Sequence, residues 1–161
     1  MEPLILLLLA WATLIVERHE ALFLFPGVPS KTIVQIINNV TDPPQDLTLH
    51  CKSKDDDLGE HTISVGGKYE FIFRPNVLKP VTLFFCNFRW PSDTSFHYFD
   101  IYIQKRDEDS CLDKDVTLCY WKIWKGGACK YDKDLKTYTN CYPWNPAPAI
   151  VASSVINTSF I

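Results

Sequence analysis

Three histidines, His50, His61 and His97, lie beyond the amino-terminal segment and carry side chains that titrate near neutral pH. His50 and His61 flank an acidic run, so as a pair they would suit general acid–base attack on RNA or a polysaccharide. No G-x-S-x-G elbow, H-E-x-x-H helix or glycine-rich phosphate loop accompanies them. A hydrolase or ribonuclease is therefore the weaker alternative, and the chain is expected not to be an enzyme. Asp55, Asp56 and Asp57, followed by Gly59, offer a second chemistry, calcium binding. Calcium loops alternate their carboxylates so that successive side chains converge on one ion, whereas consecutive aspartates point apart. The run is better explained as a loop leaving a strand, with carboxylates capping backbone N–H groups and Lys52 and Lys54 balancing the charge. Trp90, Trp121, Trp124 and Trp144 offer a third, stacking on sugar rings in a lectin-like face, with burial in a core as the alternative.

The six cysteines, Cys51, Cys86, Cys111, Cys119, Cys129 and Cys141, contain no C-x2-C pair, which disfavours zinc. An even number suits disulfides in an oxidising compartment, with fifteen connectivities open to six thiols. Neither a metal nor another cofactor is expected.

The elements that must position these residues alternate with a period of two. Over Asp46 to Ser53, Leu47, Leu49 and Cys51 share one face and Thr48, His50 and Lys52 the other. Tyr69, Phe71 and Phe73 oppose Lys68, Glu70 and Arg74, and the stretches from His97 to Gln104 and from Thr117 to Trp124 alternate as well. The stretch from Val81 to Phe88 is apolar on both faces, as in a central strand covered twice or one lined by a disulfide through Cys86. Weaker strand patterns cover Thr32 to Asn38 and His61 to Val65. Turn signals such as Asp42-Pro43-Pro44, Gly66-Gly67, Trp90-Pro91-Ser92-Asp93 and Gly126-Gly127 separate these runs. The pattern predicts an all-β fold, an antiparallel β-sandwich stabilised by disulfides.

The chain's 161 residues, 47% hydrophobic and 22% charged, suit one domain. A net charge of −3 gives no basic footprint for nucleic acid. Leu4 to Val16 is an apolar run of about 13 residues, short of the ~20 that span a bilayer, and it is closed by Glu17-Arg18-His19-Glu20. It reads as a secretory signal even though Met1-Glu2-Pro3 lacks lysine and arginine. The expected organisation is a signal peptide over 1–25 with cleavage between 21 and 30, a sandwich over 31–145, and a flexible tail over 146–161. Direct membrane insertion is not expected. Asn39-Val40-Thr41 and Asn157-Thr158-Ser159 are acceptor sequons, so Asn39 and Asn157 are candidate glycosylation sites.

The string His50-Cys51-Lys52-Ser53-Lys54-Asp55-Asp56-Asp57-Leu58-Gly59 is the least random in the chain. Leu83-Phe84-Phe85-Cys86, Phe99-Asp100-Ile101-Tyr102, Cys119-Tyr120-Trp121, Gly127 and Tyr131 follow it in order. In these residues the chain resembles the plant self-incompatibility protein family, the S-protein homologues, from about Ile33 to Trp144. The resemblance implies a secreted, extracellular plant protein with a β-sandwich fold and four cysteines in two disulfides, which here are Cys51, Cys86, Cys111 and Cys119. It does not say how they pair, and Cys51 with Cys86 and Cys111 with Cys119 is our expectation. Cys129 and Cys141 lie outside that set and are expected to bridge each other.

The resemblance further implies a recognition or signalling protein of the self-incompatibility type, a ligand for a plasma-membrane receptor, without cofactor or catalytic residues. A defence or toxin-like glycan-binding protein of the same fold is the alternative. Receptor binding is expected on loops held by a rigid scaffold, foremost the charged loop carrying Asp107, Glu108, Asp109 and Asp113, then Trp90 to Phe96. A solvated acidic loop that keeps the protein soluble is the other account of that charge. Oligomeric state is not legible in the chain.

Overall fold

The computed structural model describes residues 31–111 and 116–146. The signal segment expected over 1–25, Asp113, Asn157 and all of the expected tail except Pro146 lie outside the described residues. Nine strands and one helical turn follow in order. They are β1 (Lys31–Asn38), β2 (Leu47–Lys52), β3 (Asp57–Ile63), β4 (Lys68–Phe73), β5 (Leu83–Trp90), β6 (Asp93–Ile103), α1 (Gln104–Asp107), β7 (Val116–Trp124), β8 (Gly127–Asp132) and β9 (Thr137–Pro143).

The strands form two sheets, β4-β1-β7-β8-β9 and β3-β2-β5-β6. Every pairing within them is antiparallel except β1 with β7, which run parallel in unbroken register from Lys31 opposite Val116 to Asn38 opposite Ile123. The all-β sandwich expected from the alternation is therefore the fold. The period-two stretches fall on β2, β4, β6 and β7, and their apolar sets face the interior: Leu47, Leu49 and Cys51 from β2, and Cys119, Trp121 and Ile123 from β7, are fully buried. Val34 and Ile36 of β1, Phe88 of β5 and Ile101 of β6 complete the layer between the sheets. Each such side chain contributes about 1.5–3 kcal/mol on burial.

β5 takes the second of its two expected forms, a strand lined by a disulfide through Cys86. Cys86 and its neighbours Phe84 and Phe88 are buried, but Leu83 and Phe85 on the other face are 41% exposed, so the strand is covered on one side only. β8 and β9 carry no apolar alternation strong enough to have been expected. The three bridges are Cys51–Cys86, Cys111–Cys119 and Cys129–Cys141. The first and third join residues that face each other directly in the ladder, β2 to β5 and β8 to β9.

Because successive strands reverse direction, the connections sort to two ends. One end gathers the β2–β3, β4–β5, β6–β7 and β8–β9 connections, and the other gathers β1–β2, β3–β4, β5–β6 and β7–β8. Side chains tie each set together. Gln104 donates to the Asn76 carbonyl at 3.0 Å and Lys133 to the Asp109 carbonyl at 3.3 Å at the first end. At the second end, the Asn38 carboxamide donates to the carbonyls of Gln45 and Ile63 at 2.8 and 3.0 Å.

Candidate recognition site

The β2–β3 connection is built by Ser53. Its hydroxyl accepts the N–H groups of Asp55 and Asp56 at 3.2 and 2.9 Å, while its own N–H donates to the Asp56 carbonyl at 2.8 Å. Asp57 opens β3 and turns back to His50 and to Lys52, whose Nζ is 2.8 Å away, and it also accepts the Gly59 N–H at 3.0 Å. Hydrogen bonds from His50, then Lys52, then the Gly59 backbone hold its carboxyl well below the usual carboxylate range. Gly59 sits at φ 75°, a conformation that a Cβ disfavours. The acidic run is thus a turn closed by Ser53 and Asp57. Among the described residues no group of three or more His, Cys, Asp or Glu side chains is placed to hold a metal.

The β4–β5 connection, residues 74–82, is braced in the same way. Asn76 Oδ1 accepts the N–H groups of Leu78 and Lys79 at 2.9 and 3.1 Å, and the Asn76 N–H donates to the Thr82 hydroxyl at 2.9 Å. Buried Gln104 of α1 locks both sides of the loop, donating to the Asn76 carbonyl and accepting the Thr82 N–H at 3.2 Å. The bracing holds apolar side chains outward, with Val77 66%, Leu78 89% and Val81 65% exposed.

Between the two loops lies a groove of about 600 Å³. Ser53 to Asp56 line one side, Arg74, Asn76, Val81 to Leu83 and Phe85 the other, with the rings of Phe73 and Phe84 between them. Those two rings belong to the core, packed 4.5 Å apart between centroids. The groove joins apolar rings to charged sides, the composition of a binding site. Loop 74–82 escaped the strand pattern. Its signal was the pair Pro75 and Pro80 bracketing Val77-Leu78, apolar residues that no ladder could cover.

The charged loop divides. Glu108 and Asp109 are exposed as expected, and Asp113 lies outside the described residues. Asp107 is the correction: it is fully buried and unavailable to a partner. Its carboxylate accepts the Ile103 N–H at 2.8 Å, Arg106 Nε and Nη2 at 2.9 and 2.8 Å, and Lys130 Nζ at 2.9 Å. Lys130 is itself buried, so three charges satisfy one another inside the fold. Arg106 also lies over the rings of Phe99, Trp121 and Tyr142 at 5.5, 5.1 and 5.4 Å.

The histidine pair is not assembled. His50 faces Glu60 across the β2–β3 ladder while Leu49 faces His61, so the two imidazoles project from opposite faces of the sheet. His61 stacks on Tyr69 at 4.1 Å and bonds the Leu58 carbonyl at 2.8 Å. His97 stacks on Trp90 at 4.5 Å beside Asp93. The tryptophans do not form one face either: Trp90 and Trp121 are core, Trp144 packs on Phe88 and Trp90, and Trp124 alone of the four is largely exposed.

Residues 33–144, from the strand preceding the groove to the ring that closes the far end, match the family model described as plant self-incompatibility protein S1. The chain belongs to this family. S-protein homolog 5 of Arabidopsis thaliana is 44% identical over 113 residues, covering 70% of this chain and 77% of that one. S-protein homolog 2 of the same plant is 40% identical over 116 residues, covering 72% and 70%. A solved structure of a self-incompatibility protein homologue aligns with a TM-score of 0.50 at 14% identity, over 73% of this chain and 96% of that one, and supports the sandwich fold. Within this S1-family chain, the Cys51-to-Gly59 string supplies one end of a disulfide and the whole of one groove wall.

Proposed function

We propose that this S-protein homologue is a secreted recognition protein of the self-incompatibility type, a ligand that engages a plasma-membrane receptor through the end bearing the groove. Secretion is supported by the three disulfides and by the solved homologue, which belongs to proteins described as small, highly stable and secreted from plants. The observation that carries the recognition role is loop 74–82, where a buried glutamine and an asparagine pin the backbone around Leu78 while its side chain stands in solvent beside an open groove. A domain gains nothing in stability by fixing a leucine in water. A ligand gains affinity, because the cost of ordering the contact residue is met before the partner arrives.

Glu108 and Asp109 lie at the same end and form its acidic border. The test is binding of the tagged, fully oxidised protein to intact plant cells. Leu78→Asp should weaken binding at least tenfold, the scale of losing one apolar anchor, ~1.4 kcal/mol or more, with unchanged thermal unfolding. Neutralising Glu108 and Asp109 should mainly slow association. Saturable binding that is indifferent to Leu78→Asp would reject the assignment to this end, and absence of any saturable binding would reject the ligand role.

A further inference from the structure

Asn39 directly follows β1, in step with its outward-facing residues Lys31, Ile33, Gln35 and Ile37, and is exposed at the end of the sandwich opposite the groove. The parallel register ends with Asn38 beside Ile123, and the Asn39 N–H donates to the Ile123 carbonyl at 2.8 Å, so Asn39 and Trp124 are the next residues along two neighbouring strand ends. Trp124 ends the outward set of β7, after Leu118, Tyr120 and Lys122, so both side chains leave the same face of adjacent strands. The indole is 45% exposed and lies against Gly126, where an added Cβ would meet the ring at 3.1 Å. Thr41, the third residue of the sequon, is exposed where the chain turns through Asp42-Pro43, closed by a bridge between Thr41 and Pro44.

We propose that Asn39 carries an N-linked glycan whose first sugar rests on the face of Trp124. In the transfer, Asn39 Nδ2 bonds to the anomeric carbon of a polyprenyl-diphosphate-linked oligosaccharide. The anomeric C–O bond breaks, polyprenyl diphosphate leaves with its electron pair, and the amide nitrogen gives up one proton. The apolar C–H face of a pyranose then covers an aromatic surface that otherwise meets water. The glycan occupies the end away from the groove and leaves the proposed receptor-binding loops uncovered. The inference rests on the secretory route of the proposed function, because such donors are encountered only there.

The full chain is expressed in plant cells, and the medium and cell fractions are analysed by intact mass and glycopeptide mapping before and after enzymatic deglycosylation. The expected result is secreted protein with glycan on Asn39, lost in Asn39→Gln and in Thr41→Ala, which removes the sequon without altering Asn39. Secreted protein with unmodified Asn39 would overturn the site while leaving secretion intact; protein retained in the cytosol would overturn secretion itself. For the Trp124 contact, removing the glycan should lower Tm in the parent and in Trp124→Tyr but not in Trp124→Ala. An equal fall in Trp124→Ala would overturn the contact.

Discussion

Asp107 carries four hydrogen bonds from a position with no solvent access, and the two cations it neutralises lie next to it in the chain and on β8. Replacing it by alanine leaves buried Lys130 without its counter-charge, with the Ser110 hydroxyl at 2.6 Å as its remaining hydrogen-bond partner. Breaking such a pair costs about 3–5 kcal/mol. Asp107→Ala should therefore shift the urea midpoint strongly downward, whereas Asp109→Ala, two residues on and exposed, should leave it within the scatter of surface substitutions. Equal midpoints for the two variants would contradict the buried triad. Nothing local in Arg106-Asp107-Glu108-Asp109 distinguishes the buried acid from its exposed neighbours. The distinction is made by Lys130, 23 positions away, on a strand whose sequence, Gly127-Ala128-Cys129-Lys130-Tyr131-Asp132, shows no apolar alternation.

At the scale of elements, β2, β4 and β7 were legible because a pleated strand sends alternate side chains to opposite faces, and their apolar and polar residues sort by that rule. β9 was not: at the edge of its sheet it needs no apolar face, and Thr137, Thr139 and Asn140 are exposed. The parallel β1–β7 pair was illegible for another reason, since alternation reports which face a residue takes and not which strand lies beside it. The β7–β8 hairpin depends on one backbone position. Gly127 sits at φ 150° with the Tyr142 carbonyl oxygen 2.0 Å from where a Cβ would stand. Gly127→Ala must push β9 away, so it should cost more than the ~1–3 kcal/mol of a strained backbone alone and lower Tm measurably. A variant with parental Tm would show that β9 yields freely.

Across the whole molecule, the bridges close loops of 35, 8 and 12 residues that do not overlap. In the chain-entropy model their effects then add, at roughly 4, 2.5 and 3 kcal/mol, together about 9 kcal/mol. Domains of this size have net stabilities of ~5–15 kcal/mol, so reduction should remove most of it. Reduced protein should unfold at far lower urea than oxidised protein, by circular dichroism under reducing and non-reducing conditions. Coincident curves would mean that the sandwich core alone suffices. The resemblance singled out the four cysteines that form the first two bridges, and the pairing expected for them and for the remaining two is the one found, yet the groove beside the Cys51-to-Gly59 string stayed hidden, because its other wall comes from residues 74–85, brought near only by folding.

The order of those bridges has a consequence for how the molecule is made. Each cysteine is joined to the next one along the chain, first to second, third to fourth, fifth to sixth. A chain delivered amino end first into an oxidising lumen presents the first thiol of each bridge with its native partner as the very next thiol to emerge, before any thiol of the following bridge. Oxidation in order of arrival therefore reaches the native pattern directly, without the slow thiol–disulfide reshuffling that nested or crossed pairings impose.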